Sequence, residues 1–270
     1  MAVAQPLKIH GGKGAFAGKL AKWIISLMPP HTHYCEPYFG GGSVLLRKSP
    51  DGISEVVNDL DGDLMNFWRT LQDQRRFRAF VKRLSVIPLS EAEFNLSRGL
   101  VRTDVERAVA FFVRARQSRQ GLRKDYVTPT KRTRRGMNEN VSAWLSAVDG
   151  LKEVRDRLIL VEVLNRKAVD VIQERDHEDA LFYCDPPYLK STRTSGGEYG
   201  PFEMTEADHV VLLQTLARLR GKFLLSGYNS PLYEHWREFA GWRRHELTRP
   251  NSAAGTAVNP ERIECIWTNF

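Results

Sequence analysis

The chain has 270 residues, 42% hydrophobic and 27% charged, which excludes disorder, a collagen repeat and a coiled coil as its main architecture and leaves one large domain or one domain with a substantial insert. No apolar run approaches the ~20 residues of a membrane span, Met1 to Pro6 lacks a secretory pattern, and Cys35, Cys184 and Cys265 form no CxxC pair, so reduced thiols in a cytoplasmic protein are expected. The net charge of +8 is unevenly placed, with 17 Lys/Arg against 5 Asp/Glu between Arg75 and Arg135 and a net −4 elsewhere, which makes a nucleic acid the expected partner of that central segment.

In chain order, the loop His10-Gly11-Gly12-Lys13-Gly14 precedes an amphipathic helix over about Phe16 to Leu27. A strand follows at about His33 to Glu36. The turn Tyr38-Phe39-Gly40-Gly41-Gly42-Ser43 then leads to a helix expected to begin near Val44. The second strand, about Ser54 to Asn58, ends in Asp59-Leu60-Asp61, and a helix runs from Asp63 to about Gln72. Helices are predicted over Arg75–Leu84, Ser90–Ser97, Val105–Gln117 and Asn138–Val148, with Gln117–Gly136 as an exposed polar, basic arm. After residue 150 the alternation resumes. A strand is predicted over Leu158–Leu164, a helix over Ala168–Glu174, a strand over Ala180–Cys184, a helix over Glu206–Leu219 and a strand over Lys222–Ser226. Trp242–Thr248 and Arg262–Thr268 alternate as a terminal antiparallel pair.

This order is that of an α/β chain with a mostly parallel sheet and helices on both faces. The first two strand ends lie 23 residues apart, near the ~30 of one βαβ unit, whereas the next strand is not predicted until 158. The surplus is the basic segment. The expectation is therefore a sheet domain over residues 1–74 and 150–270 carrying an inserted basic helical domain over 75–149.

Two turns carry chemistry. Gly40 and Gly42 follow a strand, where glycine permits a sharp turn and close backbone approach to a ligand. Asp59 ends the next strand, where an acid commonly accepts hydrogen bonds from ribose hydroxyls. Neither GxGxxG nor GxxxxGK[ST] is present, so a nucleoside cofactor without a pyrophosphate fits better than NAD or ATP. Asp185-Pro186-Pro187-Tyr188 stands at the carboxyl end of an apolar strand, where open α/β sheets bind ligands. Prolines offer carbonyl acceptors without donors. With the Asp carboxylate they suit an exocyclic amine, whose two hydrogens can be bound so that its lone pair leaves ring conjugation. Tyr188 offers a stacking face, worth roughly 1–3 kcal/mol for a nucleobase.

Taken together, His10-Gly11-Gly12-Lys13, Glu36-Pro37-Tyr38-Phe39-Gly40-Gly41-Gly42, Asn58-Asp59, Asp185-Pro186-Pro187-Tyr188, Ser226-Gly227-Tyr228 and Trp267-Thr268-Asn269 resemble the DNA adenine-N6 methyltransferases of the Dam type (the D12 class), particularly phage and prophage variants. The resemblance covers nearly the whole chain. It implies a Rossmann-like methyltransferase sheet that uses S-adenosylmethionine, with the insert as target-recognition domain. It implies a cofactor pocket of His10, Gly12, Lys13, Glu36, Tyr38, Gly40, Gly42, Asp59 and Asp185, with Asp59 on the ribose. Asp185, Pro186, Pro187 and Tyr188 are the implied catalytic residues: Asp185 and the Pro186 carbonyl take the amine hydrogens and Tyr188 stacks on the base. The substrate so implied is an adenine rotated out of duplex DNA, and a cognate restriction enzyme is a partner the family allows. Tyr38 stands where Phe is usual, Ile9 where Trp occurs in relatives, and Lys167 where an acid is often found.

Arg114, Arg116, Arg119, Arg123 and Lys124 are the candidate DNA contacts, on phosphates or base edges. Thr192, Arg193 and Thr194 lie in a loop that either grips DNA or is plain surface. No metal site is expected from seven scattered histidines without an HxxxH or Cys/His cluster. Cytosine-N4 methylation uses the same amine chemistry and is the nearest alternative, although its enzymes usually begin the motif with Ser. Methylation of RNA or a protein amide, a catalytically inactive DNA-binding homologue and a NAD-type oxidoreductase are the others. The intact Asp185–Tyr188 motif and the missing GxGxxG argue against the last two.

Overall fold

A computed structural model of the chain describes residues 3–9, 17–193, 199–249 and 262–270. In order the elements are α1 (Ala17–Ser26), β1 (His33–Glu36), β2 (Ser54–Asn58), α2 (Gly62–Gln72), α3 (Gln74–Leu84), α4 (Glu91–Leu96), α5 (Asp104–Gln117), β3 (Thr133–Arg134), β4 (Met137–Asn138), α6 (Glu139–Asp149) and α7 (Leu151–Leu158). There follow β5 (Val161–Leu164), α8 (Ala168–Glu174), β6 (Ala180–Cys184), α9 (Glu206–Leu216), β7 (Lys222–Gly227), α10 (Pro231–Ala240), β8 (Arg243–Arg249) and β9 (Arg262–Thr268). The chain is thus a mixed α/β protein with a mainly parallel central sheet, as its strand–helix alternation predicts.

The chain divides into two units. The first comprises residues 1–26, 39–51 and 55–165. Here β2 pairs with β5 in parallel, Glu55 opposite Val161 and Asn58 opposite Leu164. α2 packs on α3, α5 and α7. Their shared core is aromatic: Phe67, Trp68, Phe80, Phe111, Phe112 and Trp144 are all buried, and Phe67 and Phe112 stack with centroids 5.8 Å apart. Asp61 caps α2 by accepting from the N–H groups of Asp63 and Leu64, and Thr103 and Glu106 form a reciprocal capping box at the start of α5. These helices are therefore ordered by caps and a buried aromatic face.

The second unit comprises residues 27–38, 52–54 and 166–270. Its strands lie in the order β1-β6-β7-β9-β8, with β1, β6 and β7 parallel and β9 antiparallel to both β7 and β8. All five residues of β6 are buried, which explains why the strand reads as a continuous apolar run rather than an alternation. In β1, Cys35 stands opposite Phe182 of β6, so the carboxyl ends of the two strands, at Glu36 and Cys184, lie along one edge of this sheet.

The structure departs from four expectations. No helix begins near Val44: residues 40–48 form successive turns, held by Leu46 N–H to Gly42 O at 3.2 Å and Lys48 N–H to Val44 O at 3.0 Å. The stretch before Ser49-Pro50 is too short to propagate a helix. Residues 151–158 form α7, so the strand predicted from Leu158 starts only at Val161. Leu151, Val154 and Leu158 supply the buried helical stripe. The arm at 117–136 is ordered in part. Ser118 bridges Tyr126, and β3 and β4 form a hairpin whose turn residues Arg135 and Gly136 have φ of 53° and 74°, the left-handed pair that a two-residue turn demands. Helix α9 stops at Leu216, earlier than predicted.

Candidate active site

In the first unit the glycine turn is organised around Asp59. The Gly40 N–H donates to Asp59 Oδ2 at 2.9 Å and the Asp61 N–H to Oδ1 at 3.0 Å. The Gly40 carbonyl accepts from Trp68 Nε1 at 3.1 Å. Gly40 has a φ of +50°, and Gly42, at +70°, could not carry a Cβ without meeting the Phe39 ring at 2.8 Å, so both positions require glycine. Asn165, just beyond β5, donates to the Asp59 carbonyl at 2.8 Å. Burial raises the Asp59 carboxyl to about 6; the N–H groups of Asp61 and Gly40 oppose that rise and the Asp61 charge adds to it. Each carboxylate oxygen retains lone-pair capacity for a further donor.

In the second unit Glu36 is buried at the end of β1, and its Oε1 accepts from the Tyr34 hydroxyl at 2.8 Å. Tyr38 is half-buried two residues on. Asp185 and Tyr188 are half-buried beyond β6, and Pro186 is buried. The Tyr188 hydroxyl donates to Glu264 Oε1, and its ring lies edge-on to Tyr228 at 4.9 Å. Burial pushes the Tyr188 phenol well above its usual range, with the Glu264 and Asp185 charges adding to the shift. Burial, and then neighbouring Cys35 and Asp185, raise the Cys184 thiol, which makes it a poor nucleophile. Behind the motif, His209 Nδ1 meets the Tyr233 hydroxyl at 2.9 Å. Burial lowers the imidazole to about 4, opposed by Asp208 and the Pro187 backbone.

Glu36, Asp185 and Tyr188 therefore share the carboxyl edge of the second unit's sheet, and Gly40, Gly42 and Asp59 gather in the first. His10, Gly12 and Lys13 lie outside the described residues, as does Thr194. The five candidate DNA contacts divide. Arg114 donates to the Ser97 carbonyl and Arg116 to the Ala143 carbonyl at 2.7 Å, with Arg116 lowered by burial to about 10. Arg123 pairs with Asp61 at 3.2 Å and lies 5.0 Å over the Phe111 ring. Arg119 and Lys124 are exposed, as are Lys131, Arg132, Arg134 and Arg135 around the hairpin. Arg119, Lys131 and Arg132 also line an open groove with Lys8. Arg193 pairs with Glu203 and Thr192 bonds the Leu189 carbonyl at 2.7 Å, so both side chains are engaged within the fold.

Glu264 and His209 were not singled out from the sequence. Glu264 had a signal, a lone carboxylate in the apolar run Ile263 to Trp267. His209 had none, since a histidine inside a helix announces no partner. Among the described residues no group of three His, Cys, Asp or Glu side chains is gathered as a metal would need, and no helix is long and apolar enough to cross a membrane.

Residues 11–250 match the family model described as D12 class N6 adenine-specific DNA methyltransferase. The chain is also similar to a DNA N-6-adenine-methyltransferase of Escherichia phage P1, at 26% identity over 242 residues. That alignment takes in 83% of this chain but 30% of the relative, so the chain spans about a third of the phage protein's length.

Proposed function

The chain belongs to the D12 class of N6 adenine-specific DNA methyltransferases, and from that membership we propose that it transfers a methyl group from S-adenosylmethionine to N6 of an adenine rotated out of duplex DNA. The observation that carries this reading is Asp185-Pro186-Pro187-Tyr188 at the carboxyl end of the fully buried strand β6. The cofactor, when bound, supplies a methyl group activated on a sulfonium.

The residues present fit such a cofactor by the chemistry of their donor set. It offers hydroxyls and positive charge, and this chain offers carboxylates. Asp59, its orientation set by the Gly40 and Asp61 N–H groups, would take the ribose hydroxyls. Glu36, held by Tyr34, Tyr38, Gly40 and Gly42 are further residues that the family pattern gives to the cofactor. His10, Gly12 and Lys13 are assigned to it by the family pattern alone.

For the substrate, Asp185 accepts one amine hydrogen and the Pro186 carbonyl the other. The nitrogen lone pair is thereby drawn out of the purine ring and made nucleophilic. Tyr188 fixes the plane of the base, and Pro187 stiffens the turn that carries the acceptors. No covalent enzyme intermediate is required, and the rate comes from positioning and preorganised acceptors.

In this reading residues 1–74 and 150–270 are the catalytic domain and 75–149 an inserted recognition domain on DNA in the cytoplasm, a role supported by the exposed Arg119, Lys124 and hairpin arginines. Nothing in the chemistry requires a restriction partner. The test is mass spectrometry of nucleosides from duplex DNA incubated with the protein and S-adenosylmethionine. N6-methyladenine is expected; N4-methylcytosine alone, or no methylated base, would overturn the assignment.

A further inference from the structure

We propose that Glu264, on the last strand and outside the Asp185–Tyr188 motif, is the positioning residue that sets the plane of the Tyr188 ring. The inference rests on the adenine-methylation reading and names a residue that determines how the flipped base is held.

Glu264 lies in β9, one strand beyond β7 in the sheet of the second unit. Its neighbours Cys265, Ile266 and Trp267 are buried, and Glu264 itself is 0% exposed. A carboxylate in such surroundings is tolerated only when it is hydrogen-bonded. Its Oε1 takes the hydrogen of the Tyr188 hydroxyl, a charge-assisted bond of the stronger class. Tyr188 remains a phenol, because burial and the Glu264 charge both oppose its ionisation. It therefore keeps the hydrogen it donates.

The second restraint is Tyr228, which follows β7 and meets Tyr188 at 4.9 Å with an interplanar angle of 82°. Edge-to-face contact limits rotation of the ring about its long axis, and the bond to Glu264 fixes the far end of that axis. Stacking is sensitive to the plane and offset of the two rings. A Tyr188 ring pinned at its tip and along its edge presents one face in one orientation, whereas a ring pinned only at Cβ does not. Glu264 thus acts through Tyr188 and need not touch the substrate.

The test compares the wild-type protein with Glu264→Leu, Glu264→Gln and the double variant Tyr188→Phe/Glu264→Leu. The readouts are the single-turnover rate of N6-methyladenine formation, S-adenosylmethionine affinity by calorimetry, and the fluorescence of DNA carrying 2-aminopurine at the target position. Glu264→Leu is expected to lower the rate by about tenfold or more while cofactor affinity stays within about twofold. Its 2-aminopurine signal should be brighter than that of the wild type, because the extruded base loses an ordered stacking partner. Glu264→Gln, which keeps an acceptor oxygen, should recover most of the rate.

The double variant should be about as slow as Glu264→Leu, because a ring without its hydroxyl is no more pinned at its tip than one without its acceptor. A wild-type rate and unchanged fluorescence in Glu264→Leu would overturn the proposal. So would a Glu264→Gln as slow as Glu264→Leu, or a double variant that regains the wild-type rate without the bond, results that also decide the matter should the leucine variant fold poorly. A wild-type protein that makes no N6-methyladenine would overturn the parent reading, and this inference with it.

Discussion

The Asp59 carboxyl, raised to about 6 by burial, makes cofactor affinity sensitive to pH in a direction that can be worked out. The folded protein holds this acid about two units above its ordinary value of 3.8. Ionised Asp59 then costs the fold on the order of 3 kcal/mol near neutrality, a cost relieved as pH falls through about 6 and absent below the unfolded value. The Asp61 charge contributes to the rise, although Asp61 is itself paired with Arg123. Hydroxyl donors bind the ionised carboxylate, so binding competes with protonation. Near pH 5 about one site in ten is ionised, and affinity should be about tenfold weaker than near pH 7. Calorimetric titration with S-adenosylmethionine at the two pH values measures this, and Asp59→Asn should bind weakly with little difference between them. Equal affinities in the wild type, or the same pH dependence in Asp59→Asn, would refute the assignment of Asp59 to the ribose.

Asp185→Ala should fold normally but lose methyl transfer, checked by circular dichroism and incorporation of labelled methyl into DNA. Buried Glu55 takes both ends of the Arg157 guanidinium, at 2.6 and 2.7 Å, and Lys48 at 3.4 Å. Glu55→Leu, by removing the carboxylate that the buried Arg157 guanidinium pairs with, should cost about 3–5 kcal/mol in urea unfolding, whereas Glu55→Leu/Arg157→Met should recover a large part of it. DNA affinity should fall steeply with salt, and Arg119→Ala/Lys124→Ala should flatten the log–log slope by up to about 2. Arg114→Ala and Arg116→Ala should instead lower thermal stability, because their guanidinium groups bond backbone carbonyls of α4's end and α6.

What the residues disclosed in advance was chiefly the sheet and its ligand-facing ends. The strands β1, β2, β6 and β7 are continuous β-rich runs closed by Asp, Gly or Pro, and burial on the sheet does little to obscure such a signal. The sharp turn at Gly40 and Gly42 was legible from the glycines themselves, and their left-handed φ is the conformation glycine adopts at least cost. Two helices went unread. The stripe in α7 is only eight residues long, and its apolar end was absorbed into the strand signal that follows. Helix α10 carries its own marks, Ser230 as N-cap, Pro231 at its start and a left-handed Gly241 at its end, and apolar Leu232, Tyr233, Trp236 and Phe239 stand at helical spacing, although of its residues only Tyr233 is buried. The five basic candidates show a further limit. A count of arginines reports charge, whereas Arg114 and Arg116 were placed by backbone carbonyls 17 and 27 residues distant in sequence, which no local pattern discloses.

That limit also applies to the Asp185–Tyr188 motif. Asp185-Pro186-Pro187-Tyr188 names groups that can bind an amine, but the Tyr188 ring meets Glu264 and Tyr228, brought from β9 and the end of β7 by the sheet order, which the motif alone does not disclose. The same surroundings govern which chemistry is open to the site. His209 is lowered to about 4, while the Cys184 thiol and the Tyr188 phenol are raised. None of these three groups exchanges a proton near neutral pH. A neutral purine amine is a weak nucleophile with no need of prior deprotonation; it needs its lone pair turned out of the ring, which acceptors accomplish by geometry. Shifts of this kind in these three groups fit the proposed reading, in which fixed oxygens polarise the amine before transfer and the surplus proton is lost only after the methyl group has arrived.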